Sequence, residues 1–420
     1  MRKSSALCGA VALLFFSSST SAQQGDLNRL IGWASPPALK SSGQIEFQDH
    51  LNKCQPAQVL CPNVQVNEGS GGAAYDPINQ SLWVTNGSLL EEYPLASKCT
   101  ASCRGKTSPM GSASTVTGLA IDFENRVLYH LETAPGSFGI LPYDIKSCPP
   151  VPLKGGCTVK LSNPRATAGG IAYNKLDGLF YVAVSEPAFV GYISTLYVVS
   201  KSGCQVICTY PLNTCDVRTQ DAITGLAWDH CSGTLFATDG TNTRAMKPTD
   251  PRKCQVTVGV CCAKGGTTRW QGLAVLPGTT GKVVGTGCTG KGCASCTQQA
   301  LYPAGGDAVL GNKGFYIAWR GAPISASGIL FAGPGLCTKG LQLPFLCGLF
   351  HPSLNPGFMP LGSAVLSGRT QCTGAANYPL PLPRDPALCN ISICVQGLLV
   401  CSAISGYGLS PALELTLMKD

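Results

Sequence analysis

One short phrase occurs five times in this 420-residue chain: "GGAAYD" (71–76), "TGLAID" (117–122), "GGIAYN" (169–174), "TGLAWD" (224–229) and "QGLAVL" (271–276). Counted between second residues, the intervals are 46, 52, 55 and 47. A unit of that period cannot bury its apolar face alone and is stabilised by stacking on its neighbours, which restricts the chain to solenoids and propellers. After each phrase comes a turn and a second short run: "SLWVTN", "RVLYHLE", "GLFYVAVS", "TLFATD" and "KVVGTG". A third run follows in four copies, "LLEEYPL", "FGILPYDI", "STLYVVS" and "TRAMKP". Runs that are β-branched or aromatic and bounded by Gly, Asp, Asn or Ser are strands.

A second signature lies between the phrases. Lysine precedes cysteine in "NKC" (Lys53, Cys54), "SKC" (Lys98, Cys99), "KSC" (Lys146, Cys148), "KSGC" (Lys201, Cys204) and "RKC" (Lys253, Cys254), each 18 to 22 residues before the next phrase. A fourth strand follows, clearest in "CQVICTY" and "CQVTVGVC". Four strands in about 45 residues make one propeller blade. The first lysine-cysteine element has no phrase before it, and the last phrase has no such element after it. The segment "QIEFQDHLNKCQPAQVLCPNVQV" is therefore expected to supply the outer strands of the blade begun by 271–288. Closure of that kind removes an open sheet edge. The count is five blades, or six if 25–60 or 285–303 forms a degenerate one.

The stretch "GLAWDHCSGTLFATDGTNTRAMKP" resembles the repeat of NHL and YWTD-type propellers. There a Gly-[Ile/Leu]-Ala-x-Asp strand leads to a strand ending in Thr-Asp or Ala-Asp, then Asn-x-Arg. The likeness holds over 224–248 and loosens elsewhere: Asn174 replaces the Asp of the third unit, and the fifth lacks both acids. It implies a propeller and no single activity, because that family spans binding modules and enzymes.

From Gly305 the repeats stop, and "KGFYIAWRGAP", "SGILFAG", "YPLPLP", "ISICVQGLLV" and "ALELTLM" read as short strands of a β-sandwich. The expected organisation is an all-β chain with a propeller over 23–304 and a sandwich over 305–420. The sandwich sequence is also similar to a C-terminal module that recurs in secreted planctomycete proteins. That likeness implies a bacterial exported protein and a role in surface placement.

Residues 1–22 read as a signal peptide: Arg2 and Lys3, an apolar run from Ala6 to Phe16, then "STSA" before Gln23. That run is too short to span a bilayer, and no later stretch reaches the roughly 20 apolar residues a span needs. The expectation is a secreted, extracellular or cell-surface protein, with the periplasm as the alternative, and no membrane span. Of 23 cysteines, Cys8 belongs to the leader, and the remaining 22 suit a disulfide framework. The bridge candidates are Cys54, Cys61, Cys99, Cys103, Cys148, Cys157, Cys204, Cys215, Cys231, Cys254, Cys261, Cys262, Cys288, Cys293, Cys296, Cys337, Cys347, Cys389, Cys394 and Cys401. Sixteen cysteines lie between 54 and 296 and six between 337 and 401, so each module is expected to close its bridges internally. Residues four apart on a strand are separated by about 13 Å, too far for a bridge, so Cys204 and Cys208 seek other partners. Cys99 with Cys103, and Cys148 with Cys157, flank turns and are candidate pairs. Cys231, in the turn after the fourth phrase, reads as a local staple. Cys261, Cys262, Cys288, Cys293 and Cys296 also have thiolate spacings that suit zinc, but export favours bridges.

Formal charge is +8, or +6 without Arg2 and Lys3, and the cations are scattered, so no nucleic-acid footprint emerges. "GTGCTG" (285–290) has the G-x-G-x-x-G form without a following helix and carries no phosphate-binding geometry. His50, His130, His230 and His351 stand in four different contexts and are read as surface or blade-edge residues. Asp76, Asp122, Asp229 and Asp239 recur at repeat positions and are read as turn caps. No catalytic residue and no cofactor is assigned. The expected function is non-catalytic binding or surface association, with a protein or glycan ligand at a propeller mouth. The alternative comes from six-bladed propellers resembling gluconolactonases, which hold a divalent cation such as Ca²⁺ in the channel and hydrolyse small esters or lactones. Glu68, Asn86, Glu132, Glu186 and Asp239 are the channel candidates here. Asn86 and Asn390 head sequons that matter only in a eukaryotic secretory host.

Overall fold

A computed structural model describes residues 29–35, 42–49, 54, 56–65, 71–85, 87–95, 99–107, 114–212, 221–250, 253–266, 268–276, 281–289, 295–401 and 407–417. The expected signal peptide (1–22), His50, Glu68, Asn86, Cys215 and Cys293 lie outside these residues. The described chain is all-β apart from one turn of 3₁₀-helix at Pro386–Leu388.

Five antiparallel sheets are meanders built on one plan, each led by one copy of the repeated phrase. Sheet I runs Arg269–Leu276, Arg29–Ser35, Ser42–Asp49, Gln58–Gln65. Sheet II runs Gly72–Asp76, Ser81–Thr85, Leu89–Pro94, Cys103–Lys106. Sheet III runs Thr115–Asp122, Val127–Ala134, Ser137–Asp144, the last of which pairs with both Val151–Pro152 and Cys157–Lys160. Sheet IV is Thr167–Asn174, Leu179–Pro187, Tyr192–Ser200, Val206–Pro211, and sheet V is Gly225–Asp229, Thr234–Thr238, Asn242–Asp250, Gln255–Ala263. The leading strands touch one another in cyclic order from II through V to I and back to II, which is a β-propeller. The N-terminal strands complete the sheet begun by 269–276, with Arg29 opposite Leu276 and Trp33 opposite Gly272.

Burial grades outward along each sheet. Gly72–Asp76 and Ser81–Thr85 are buried at every residue, whereas the outer strands Cys103–Lys106 and Cys157–Lys160 alternate buried and exposed. Strands covered on both faces read as continuous apolar runs, and half-covered ones alternate with period two. Each interface between neighbouring sheets has its own apolar cluster, around Trp33 and Leu82, Trp83 and Tyr143, Phe138 and Phe180, Tyr181 and Leu235, and Phe236 and Trp270.

The cysteines stitch the same ring together. Cys61–Cys99, Cys103–Cys148, Cys157–Cys204, Cys208–Cys254 and Cys54–Cys262 each join the outer strand of one sheet to the lysine-cysteine element of the next. The pairs expected within turns, Cys99 with Cys103 and Cys148 with Cys157, do not form. Each member reaches a neighbouring sheet instead, because the turn holding Cys99 lies over the strand holding Cys61 rather than over its own. Cys54, Cys99, Cys204 and Cys254 adopt left-handed backbone (φ 55°, 58°, 60° and 56°), a turn conformation that ordinary residues take only at a cost. Cys208 and Cys372 complete bridges as well.

The remaining strands form a small hairpin, Leu341–Gln342 with Leu349–Phe350, and two larger sheets that share one core containing Trp319, Leu330, Tyr378, Val395 and Leu413. Sheet VI orders Lys282–Val284, Ala412–Thr416, Ser392–Val400, Ser327–Pro334, Met359–Val365, with Tyr407–Leu409 and Leu346–Cys347 alongside. Sheet VII orders Ala300–Ala304, Tyr316–Ala322, Gly374–Pro379. The expected boundary at 304/305 therefore falls inside sheet VII, where Leu301 pairs with Trp319. The run "KVV" leaves the fifth phrase to pair with Ala412–Glu414. Bridges also cross the expected boundary: Cys288–Cys347, Cys296–Cys372 and Cys231–Cys389, beside the internal Cys337–Cys394. Cys231 is thus a tie between modules rather than a local staple. Cysteines 261 and 401 are disulfide-bonded too, which leaves no described member of the suggested zinc set as a free thiolate.

Candidate binding site at the propeller axis

The repeated glycine explains itself at the axis. A Cβ on Gly72 would lie 2.4 Å from the Gly118 carbonyl carbon, on Gly170 2.7 Å from Leu226 N, on Gly225 2.9 Å from Leu273 N, and on Gly272 2.4 Å from Ala73 N. Gly118 meets Ile171 N at 3.1 Å in the same way. Five leading strands can converge this tightly only where no side chain stands between them. Beside this ring the axial cavity holds about 40 Å³, lined by alanines and by Leu119, Ile171, Leu226 and Leu273 among others.

The acids that end the phrases cap the hairpin turns. Asp76 accepts from Ile78 N (3.0 Å), Asn174 from Leu176 N (3.1 Å) and Asp229 from Cys231 N (2.9 Å). Asp122 accepts from the Asn125 side chain (2.7 Å). The first three are Asx turns, as the repetition predicts. Two of the acids also bind the neighbouring sheet: Arg126 reaches Asp76 at 2.6 Å, and Lys175 reaches Asp122 at 2.7 Å and Glu124 at 3.1 Å. Lys201 lies over the rings of Tyr129 and Tyr173 at 5.2 and 5.1 Å, with Asp122 3.7 Å away. Burial pulls the Asp122 carboxyl upward, but the Lys175 and Asn125 hydrogen bonds outweigh it and hold the group below the usual carboxylate range. For Asp76 burial wins over Arg126, and its pKa is raised.

At the mouth that carries these turns, the C-terminal module packs on the turns of sheets II, III and V. Val309 packs on Phe123, the Asp307 carboxylate accepts from Tyr75 (2.8 Å) and Gln80 (2.7 Å), and Asp307 N donates to Pro77 O (2.8 Å). Arg384 pairs with Glu124, and Cys231–Cys389 ties the contact. Burial raises the Asp307 carboxyl in spite of its two donors. Two cavities, about 190 and 270 Å³, lie along this seam and share Phe123, Glu124 and Arg384. On the opposite face the Pro187–Tyr192 turn holds Phe189 fully in solvent, with Val190 largely exposed beside it.

The described members of the alternative channel set, Glu132, Glu186 and Asp239, each engage a different local partner. Glu132 is buried against His130 (Nε2–Oε1 2.7 Å), Glu186 accepts from Asn163 (3.1 Å), and Asp239 caps its own turn through Thr241 N and Asn242 N at 2.9 and 2.7 Å. No cluster of three or more His, Cys, Asp or Glu with metal-binding geometry occurs among the described residues. The histidine expectation is corrected at two positions. His130 is buried and stacked on Tyr143, and His351 is buried with Nδ1 2.9 Å from Thr338 O. Sequence reasoning missed the seam of Glu124, Lys175 and Arg384, because its members come from two modules and no spacing links them. It also missed the buried Glu46–Lys264 pair (2.7 Å), to which Trp270 Nε1 donates at 2.7 Å across the ring closure.

No family profile and no curated protein matches the sequence. Among solved structures, the periplasmic gluconolactonase PpgL of Pseudomonas aeruginosa aligns at 8% identity and TM-score 0.34 over 60% of this chain and 99% of its own. The β-propeller domain of Myceliophthora thermophila Cps50 (Swd1) aligns at 10% and 0.31 over 69% and 76%. The Malassezia sympodialis allergen Mala s 1 aligns at 14% and 0.31 over 61% and 73%. Likenesses this distant transfer no residue and no activity to this chain.

Proposed function

We propose that the chain is an exported, non-catalytic binding protein, a five-bladed propeller over residues 29–276 followed by a β-sandwich from residue 281. The carrying observation is the axis, a cavity of about 40 Å³ beside a glycine ring, whose described lining includes Tyr75, Tyr173 and His230 but no carboxylate. A channel hydrolase needs several donors converging on a cavity that admits substrate. The bridges support an oxidising destination, outside the cell or in the periplasm. With the C-terminal module packed on one mouth, recognition of a protein or glycan falls to the opposite face, where Phe189 and Val190 are displayed. Large apolar side chains held in water mark interaction sites when they cluster.

The test screens the secreted protein against extracellular protein and glycan arrays beside a variant carrying Phe189→Ser and Val190→Ser. A ligand held by the parent and lost by the variant is expected. Hydrolysis of small lactones or aryl esters that requires a divalent cation and falls in Glu132→Gln would overturn the proposal in favour of the channel enzyme.

A further inference from the structure

The C-terminal module carries a second surface that the propeller reading does not use. Leu341–Gln342 and Leu349–Phe350 form a small hairpin whose tip exposes Phe345, 88% accessible and held at φ 67°. A bulky residue in left-handed backbone is held there by its surroundings. Leu336, Leu341, Leu349 and Tyr407 are exposed beside it. The proximity of Leu341, Leu349 and Tyr407 is fixed by contacts: Leu341 pairs with Phe350, a Cβ on Gly340 would lie 2.7 Å from Leu349 Cβ, and Leu346 pairs with Tyr407. Two bridges, Cys337–Cys394 and Cys288–Cys347, anchor the hairpin's approach and its far side to sheet VI. A fold that staples leucines and a phenylalanine into water on both sides is presenting them preorganised.

Charge selects the partner. From Ala308 to Arg384, 77 residues contain no Asp or Glu and five cations, of which Arg384 is paired with Glu124 in the propeller seam and Arg320 is held by Ala376 O and Asn377, so Lys339 is the charged residue of 336–350. Lys339 is exposed in the corner between Leu336 and Leu341. We propose that this stapled hairpin docks the protein on an anionic lipid surface, with Phe345 and its leucines entering the headgroup boundary and Lys339 at headgroup level. An apolar tip with an adjacent cation and an aromatic hydroxyl at its base suits that interface. A second copy would bring the same positive charge, and an acidic glycan offers no apolar complement to the tip.

Co-sedimentation of the oxidised full chain with phosphatidylcholine vesicles, with and without phosphatidylglycerol, tests this. Binding is expected only when phosphatidylglycerol is present. It should weaken about tenfold or more in Phe345→Ser/Leu349→Ser, and several-fold in Lys339→Glu with a flatter salt dependence. All these sites are exposed, so an unchanged thermal transition and an intact-disulfide mass show that the variants fold. No binding by the parent, or parent-like binding by the double variant, overturns the proposal. So does retention on dextran sulfate that the double variant keeps in full without vesicle binding, which would indicate a glycan. A dimer in sedimentation velocity that the same substitutions dissolve, again without vesicle binding, overturns it in favour of self-association.

Discussion

At Gly225 the ordinary preference is reversed. Alanine in a strand interior usually stabilises relative to glycine by about 0.5–1 kcal/mol. Here a Cβ would meet the backbone of the next strand at 2.9 Å, and backbone cannot turn aside as a flexible side chain can. Gly225→Ala is expected to destabilise by about 1–3 kcal/mol in denaturant titration, as overpacking does. A neutral or stabilising result would mean the leading strands do not converge there. The carboxylates give opposite pH signs. Asp122 is held below its unfolded value, so its contribution is present above the usual carboxylate range, about pH 4, and is lost as pH falls through the folded value. Asp307 is raised by burial, so it opposes folding once pH rises past its unfolded value. Asp307→Asn should therefore gain stability relative to the parent between about pH 3 and pH 7, and a relative loss over that range would contradict the burial argument.

Among elements, the lysine-cysteine turn and the outer strand after it form the unit of covalent closure. Each sheet offers one cysteine backward and one forward, so five bridges make a belt. Opening any link opens the whole ring. Paired Cys→Ser changes at 54/262 and at 103/148 are therefore expected to cost a similar amount, about 2–4 kcal/mol each, although their sequence separations are 208 and 45. A markedly larger loss at 54/262 would mean that chain length, and not the belt, sets the effect. The belt's parts were legible in the sequence: the period, the lysine-cysteine marks and the N-terminal strands that complete sheet I. The pairings were not, because four of the belt bridges span about one repeat, separations of 38 to 47, and spacing within a turn says nothing about which neighbour lies over it. The glycine ring was visible as a motif, but its cause, backbone meeting backbone, requires five strands that are distant in sequence. Cys231 stood out as the residue its echo at 117–132 lacks, and only the C-terminal module reveals why it is there.

For the whole molecule, the propeller and the C-terminal module meet through Phe123 with Val309, Asp307 with Tyr75 and Gln80, Arg384 with Glu124, and one bridge. Replacing Cys231 and Cys389 by serine should raise hydrogen exchange in 123–126 and 307–312 and leave the leading strands protected, because the ring retains its belt. Exchange that rises equally through the leading strands would show that the two modules form a single cooperative unit. The belt is the central claim, and disulfide mapping of the unreduced protein by peptide mass spectrometry tests it most directly. The predicted linkages are Cys54–Cys262, Cys61–Cys99, Cys103–Cys148, Cys157–Cys204 and Cys208–Cys254. Recovery of Cys99–Cys103 or Cys148–Cys157 instead, or of free thiols at these positions, would contradict it.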